Sequence, residues 1–316
     1  MGSLASSIKI AIDAGHGSNT AGKRTPPMPE DIDFDQDGIV DIKKNESIRE
    51  HIANVGVSVL LAKELRRCGF QVFQSAWDDD NAYDDEDVDL TTRQNLIKKA
   101  GCQYSVSIHF NAFGDGKTFN SANGICTYYH SNDARINDSR RLAAIVQNHL
   151  SKGTKQRNRG TNRGAFAMVN CANMNTKASI LVELAFMTNL EEATKMMGDS
   201  TFWKECAVEI CKGFCEYLKT DYVEEVIEKK EKTSASAAKV LYQVQAGAYS
   251  VMDNAVKQKE KVIKAGYKSA YISTNKTSNK RLYLVIVGVF GVKSNADGVV
   301  KQLAKRNIVA IITRKY

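Results

Sequence analysis

The sequence is short of several things, and each shortage narrows what the chain can be. No run of apolar residues approaches the ~20 needed to span a bilayer, so no membrane-spanning helix is expected. The first residues, MGSLASSIKI, lack the basic stretch and apolar core of a signal peptide. That predicts a chain made in a cytoplasm with no visible secretion address. Cysteine occurs seven times, at Cys68, Cys102, Cys126, Cys171, Cys206, Cys211 and Cys215, an odd number with no CxxC pair. The spacing argues against a disulfide framework and against a thiolate zinc cluster, and for reduced thiols in a reducing compartment. Cys211 and Cys215 stand one helical turn apart, which suits helix packing better than a disulfide. Histidine is scarce, with five in 316 residues, so where each one falls carries information.

What is present is ordinary for a soluble globular protein: 43% hydrophobic and 25% charged residues. The length allows one large domain, or a large and a small one. The net charge of +8 is unevenly spread. From Lys239 onward there are fifteen Lys and Arg against three Asp and Glu, and the remainder is mildly negative. A basic C-terminal segment suits a polyanionic partner, a nucleic acid or an anionic polymer, or else a solubilising surface.

Up to about residue 220 strand and helix patterns alternate. Strands are expected at Ile8–Asp13, Gln71–Ser75, Tyr104–His109, Gly124–His130 and Ser179–Leu184, and helices at Ser47–Cys68, Leu90–Ala100, Asp138–Ser151 and Thr201–Lys219. In the first helix Ile48, Ile52, Val55, Val59, Ala62 and Leu65 recur at three- and four-residue steps, and Gly69 stops it. The alternation predicts an α/β fold, a sheet covered by helices on both faces. Residues 1–220 then form a catalytic domain and 221–238, charged and then small and polar, a linker.

The segment 239–316 contains an internal repeat. LYQVQAGAYSVMDNA is echoed by LYLVIVGVFGVKSNA. Each half supplies a strand, a helix (Met252–Ala265, then Lys293–Arg306) and a second strand (Lys268–Ser273, then Ile308–Thr313), which predicts a small ferredoxin-like βαββαβ domain with one open sheet face. By alternation Gln243 and Gln245 share one face of the first strand, and Tyr242 and Val244 the other.

Two of the five histidines sit where strands run out into loops: His16 at the end of IKIAIDAGHG and His109 in YSVSIHFNA. Strand ends are where a rigid sheet holds imidazoles at fixed separation. A catalytic zinc takes three protein ligands and keeps one open position. Glu46 and Glu50, one turn apart at the start of the long helix, are both candidates for a third ligand, and an acid there also suits the helix dipole. His51, His130 and His149 compete. The strand SILVELAFMTN carries Glu183 in an apolar run, where a carboxylate needs a partner, such as Arg159 or Arg163, or a task as the general base of a hydrolase. DFDQDGIVD sets Asp33, Asp35, Asp37 and Asp41 around Gly38 in the manner of a calcium loop. Its twelfth position is Lys44 instead of glutamate, which favours a solvated acidic loop over Ca2+.

IAIDAGHG, a helix glutamate four residues before Asn54 in REHIAN, SIHFNA and ILVELAFMTNLEEA occur in an order that resembles the zinc-dependent N-acetylmuramoyl-L-alanine amidases of the third type, over about Ile8 to Leu218. The resemblance implies a three-layer α/β/α phosphorylase/hydrolase-like fold. It selects Glu50 over Glu46, and implies His16, Glu50 and His109 as ligands of one Zn2+ and Glu183 as the catalytic acid/base. RNRGTNRG resembles the family's basic loop ahead of the active-site strand, which implies Asn158, Arg159 and Arg163 as substrate contacts. The stretch from Gly22 to Lys44 is longer than in short members of the family.

YQVQAGAYS and YLVIVGVFG resemble the two halves of a SPOR domain, a module associated with binding peptide-stripped glycan strands, over about Val240 to Lys315. Gln243, Gln245 and Tyr271 are the residues expected on its glycan face. Together the resemblances imply a peptidoglycan hydrolase that cleaves the bond between N-acetylmuramic acid and L-alanine. Its partner is peptidoglycan rather than nucleic acid or membrane, and it acts on the wall after release by lysis or through a holin, as a phage endolysin or a mother-cell autolysin. The alternatives are a zinc peptidase acting within the stem peptide and a non-catalytic wall-binding protein.

Overall fold

The apolar run of the first strand, β1 (Lys9–Ala14), is buried almost throughout, as a central strand covered on both faces must be. Around it, in a computed structural model that describes residues 4–36, 40–79, 81–83, 85–132, 134–225, 241–267, 270–277, 280–290 and 293–315, the chain divides into Met1–Val226 and Ile227–Tyr316. Of the expected linker, residues 226–238 lie outside the described residues.

In the first unit β2 (Gln71–Ser75), β3 (Tyr104–Asn111), β4 (Ile125–His130), β5 (Asn158–Gly164) and β6 (Ala178–Phe186) join β1 in a six-stranded sheet of order β2-β1-β3-β6-β4-β5. Every pairing is parallel except β4 with β6. One face is covered by α1 (Glu50–Arg67), α3 (Ile136–Gly153) and α6 (Ser200–Leu218), which close a core with Ile10, Ile12, Val106, Ile108, Ile180 and Val182. The opposite face, marked by Ala11, packs on Ile97 of α2 (Leu90–Lys99) and Met174 of α4 (Cys171–Met174). A short α5 (Leu190–Glu192) follows β6. Three layers result because consecutive residues of β1 point to opposite faces and both are apolar. Among the described residues no helix is long and apolar enough to cross a membrane.

Two expectations need correction. The long helix begins at Glu50, not Ser47: Arg49 is extended, with φ −71° and ψ 134°. Glu46 therefore precedes the helix, where its carboxylate accepts from the Lys43 amide at 3.1 Å. RNRGTNRG is an edge strand rather than a loop. It pairs with β4 through Thr127 with Thr161 and Tyr129 with Arg163, after a register shift accommodated beside Gly160 at φ +72°. Charge and glycine hid this strand, yet both are what an edge tolerates and uses against mispairing. The stretch between β1 and α1 is no bare insertion, since Met28, Ile32, Phe34, Ile42 and Ile48 all enter the core.

In the second unit β7 (Leu241–Tyr249), α7 (Met252–Lys264), β8 (Tyr271–Thr277), β9 (Lys280–Phe290), α8 (Lys293–Ala304) and β10 (Ile311–Lys315) form an antiparallel sheet of order β10-β7-β9-β8. Val244, Ala246, Val285 and Val287 pack beneath Ala255 and Val262 of α7 and Ala296 and Leu303 of α8. The other face lies opposite the helices. There Ile311, Gln245, Ile286 and Tyr271 stand in one rung across the four strands.

Candidate active site

The parallel strands β1 and β3 lie side by side, Ala14 opposite Ile108, so their C-terminal ends deliver His16 and His109 to one place. The two imidazoles meet edge to face, 5.0 Å between centroids. α1 starts above them and contributes Glu50 as its first residue, where a carboxylate suits the positive end of the helix dipole. Glu50 is 1% exposed. Its Oε2 lies 3.2 Å from His16 Nε2 and its Oε1 3.1 Å from His109 Nδ1, and Oε1 also accepts from the Phe110 amide at 3.1 Å. One ligand atom from each of His16, Glu50 and His109 lies within 4.8 Å of the others. Burial alone would raise the Glu50 pKa, but hydrogen bonds from His109 and His16 and their charge hold it well below the usual carboxylate range.

Such close approach needs the glycine of AGHG. A Cβ built on Gly15 would lie 2.2 Å from His109 Cε1 and within 2.6 Å of both ring nitrogens. Beyond it the chain turns through His16 at φ +64°, a left-handed conformation uncommon for a non-glycine residue. The turn is held from α1. His51 donates from Nδ1 to the Gly15 carbonyl at 2.9 Å, and Asn54, one turn on, donates to the same oxygen at 3.0 Å. His51 Nε2 lies 3.0 Å from Asp85. REHIAN thus supplies one residue to the cluster and two that brace the turn below it. Gly15→Ala should displace His109 and lower both metal affinity and activity by about 100-fold or more, as isothermal titration with zinc and turnover would show.

Behind the cluster runs a chain of polar groups that sequence reasoning missed. His109 Nε2 donates to Ser107 Oγ at 3.1 Å, and Ser107 donates to Asp13 Oδ2 at 2.6 Å. Asp13 Oδ1 accepts from Arg93 and from Ser75, each at 3.1 Å. Arg93, only 1% exposed, also donates to the Ala14 carbonyl at 2.8 Å, the His16 carbonyl at 2.6 Å and Asp87 at 2.8 Å. Without a metal, Nδ1 of His109 donates to Glu50; when a cation displaces that proton, this network keeps the remaining one on Nε2 and frees the Nδ1 lone pair for the cation. The signal was in the sequence: Asp13 is a carboxylate in an apolar strand, as Glu183 is.

Glu183 stands on β6 directly opposite His109 on β3. Its Oε2 is buried and has no hydrogen-bond partner. Burial pushes its pKa up to about 8, with the His109 charge opposing and the Glu50 charge reinforcing the rise. The arginines stand apart from it as hydrogen-bond partners: Arg159 donates to the Asn123 carbonyl at 3.1 Å and covers the Phe186 ring at 5.0 Å, and Arg163 reaches the Tyr129 hydroxyl at 3.4 Å. Asn158 is engaged, accepting from Gln147 and from the Gly160 amide at 2.8 Å each. The competing histidines are spent elsewhere: His130 accepts from the Asn132 amide, and His149 lies between Glu209 and Glu216. Asp33, Asp35 and Asp41 bring carboxylate oxygens within 4.8 Å of one another, Asp41 accepting from the Phe34 amide at 2.8 Å, while Asp37 lies outside the described residues.

Residues 10–216 match the N-acetylmuramoyl-L-alanine amidase family. The chain belongs to that family. Residues 238–314 match the SPOR domain. An uncharacterized Bacillus subtilis (strain 168) protein, YqiI, is 28% identical over 210 residues, 66% of this chain and 84% of its own length. The N-acetylmuramoyl-L-alanine amidase LytC of the same organism is 36% identical over 107 residues, but the match spans 34% of this chain and only 20% of LytC. Among solved structures, an N-acetylmuramoyl-L-alanine amidase from Clostridium difficile 630 superposes with a TM-score of 0.52 at 26% identity, covering 68% of this chain and 98% of that one. For an amidase of this family the convergence of β1, β3 and α1 on one point is the feature to explain chemically. His16, Glu50 and His109 form a site fit to hold a metal, and Glu183 lies beside it.

Proposed function

We propose that the chain is a zinc-dependent amidase that hydrolyses the amide joining the lactyl group of N-acetylmuramic acid to L-alanine of the stem peptide. One observation carries the reading: Glu183, a carboxylate with one oxygen buried and unpartnered, stands on the strand next to a cluster of two imidazoles and a carboxylate. The donor set fits zinc. It offers two imidazole nitrogens and a carboxylate, the His2Glu set of open catalytic sites, and a Ser107–Asp13 relay orients one imidazole from behind. His16 through Nε2, Glu50 and His109 through Nδ1 would hold the ion. Bound there, zinc supplies Lewis-acid polarisation of the amide carbonyl and of the attacking water.

The chain's own groups do the rest. Glu183 takes the proton of the attacking water on its carboxylate and returns it to the alanine nitrogen as the C–N bond breaks. A carboxyl pushed up to about 8 by burial is drawn back toward neutral pH by a nearby cation, which suits a group that must both accept and donate. Arg159 and Arg163, exposed on β5, are cations available to the carboxylates of a stem peptide.

In the SPOR domain Gln245 and Tyr271, which flank the buried Ile286 in one rung of the open face, are the proposed glycan contacts. Tyr271 is 43% exposed and offers an aromatic face to a sugar ring, whereas Gln243, 9% exposed, contributes little. Binding the wall through this face raises the local concentration of scissile bonds. Tyr271→Ala combined with Gln245→Ala should weaken co-sedimentation with purified wall about 10-fold and leave turnover of a soluble muropeptide unchanged.

The function itself is tested by product analysis of digested peptidoglycan. New N-terminal L-alanine without new reducing sugar supports the amidase. Newly exposed amines inside the stem peptide would make the chain a zinc peptidase, and no release of any kind would leave only wall binding.

A further inference from the structure

Three of the seven cysteines, dispersed in sequence, come together in the first unit. Cys68 closes the C-terminal end of α1, and Cys211 and Cys215 occupy successive turns of α6. All three are buried, and their sulfurs lie within 4.8 Å of one another, Cys211 Sγ being 3.7 Å from Cys68 Sγ. Two sulfurs bound tetrahedrally at a zinc–sulfur distance of about 2.3 Å are separated by about 3.8 Å. A disulfide would need them near 2.0 Å. The Val223 amide donates to Cys68 Sγ at 3.3 Å, the kind of N–H contact that supports a thiolate from outside the ligand set.

We propose that Cys68, Cys211 and Cys215 form a second metal site, one for a thiophilic d10 cation such as zinc or cadmium held by three thiolates. It stands apart from the His16–Glu50–His109 cluster, because Glu50 and Cys68 are at opposite ends of α1, about 27 Å at 1.5 Å per residue. Three sulfur donors select soft cations over calcium or magnesium. Among the described residues no fourth His, Cys, Asp or Glu joins the group, so the protein supplies a three-coordinate set. Binding replaces the thiol protons by the cation and releases them to solvent. The ion would clamp α1 to α6 and so fix the helix whose first residue is Glu50.

The test uses the full chain, fully reduced, titrated with cadmium chloride. The wild type should develop a thiolate-to-cadmium charge-transfer band that saturates at one equivalent of this site per chain. Glu50→Gln, which disables the other site, and Cys102→Ser should keep the band. Cys211→Ser should lose it, with affinity falling about 100-fold or more. Cys68→Ser, at a helix end, supplies the same arm should Cys211→Ser fail to fold, and native mass spectrometry counts the bound ions. Absence of the band in wild type, or its persistence in both cysteine variants, overturns the proposal. So does a free-thiol count of five instead of seven in protein isolated without reductant, which marks a disulfide.

Discussion

Glu183→Gln should lower turnover of the wall amide by about 10³–10⁴-fold and leave zinc binding intact. General acid–base catalysis contributes about 10²–10⁴-fold, and in the proposed mechanism one carboxylate carries both proton transfers, so the upper part of that range applies. The isosteric amide keeps the shape of the site but can neither take nor return a proton. The same change should stabilise the metal-free protein. Glu183 is pushed up to about 8 when folded because its carboxylate is desolvated, with Oε2 buried and lacking a hydrogen-bond partner. A carboxyl whose folded pKa lies above its unfolded value of about 4.5 contributes its full stability below that value and loses it as pH rises toward 8. In EDTA the wild type should therefore weaken from pH 5 to pH 8 by a few kcal/mol, and Glu183→Gln should lack that slope. The Tm gap at pH 8 is expected to be on the order of 5 °C. With zinc bound the gap should shrink, because the cation stabilises the nearby carboxylate. Loss of activity together with a gain in stability separates a catalytic role from a structural one. A merely structural Glu183 would give the opposite sign in the melt.

Removing the metal should have the second large effect. Chelation is expected to abolish turnover by at least about 10⁴-fold, and added zinc should restore it. Glu50→Gln should reproduce the loss, with zinc affinity lowered by about 100-fold or more. Glu50 has a pH signature of its own. Its pKa is held well below the ordinary range by His109 and His16 against the cost of burial. A depressed carboxylate stabilises the fold above about pH 4.5 and loses that contribution as pH falls through its folded value. Metal-free wild type should thus weaken in acid more steeply than metal-free Glu50→Gln, as urea unfolding at pH 6 and pH 3.5 would report.

The site was legible in sequence to the extent that its residues break the local rule. His16 and His109 end apolar strands, and Glu183 interrupts one, so each stood out against its neighbours. Glu46 and Glu50 did not separate by spacing. The structure separates them because the helix starts at Glu50, a boundary set by Arg49 turning extended. Residues that act through others were hidden. Arg93 looks like a surface residue on a polar helix, LTTRQNLIKK, yet it is buried against Asp13, Asp87 and two carbonyls of the β1 turn. The cysteine spacing rule read only near neighbours, and tertiary packing brought Cys68 to Cys211 across 143 positions. The C-terminal fold was easier, because its internal repeat and period-two alternation place each strand. Even the bulge in β9 at Val287 leaves Gln245 and Tyr271 flanking Ile286 on one face.

The most direct test of the proposed zinc centre is anomalous diffraction at the zinc edge from a crystal of the zinc-loaded chain. At this site a strong peak is predicted bonded to His16 Nε2, the Glu50 carboxylate and His109 Nδ1, with Glu183 close by but not bonded to the ion. A peak liganded by Glu183, by Glu46 or by His51, or no peak among these residues, would contradict the account.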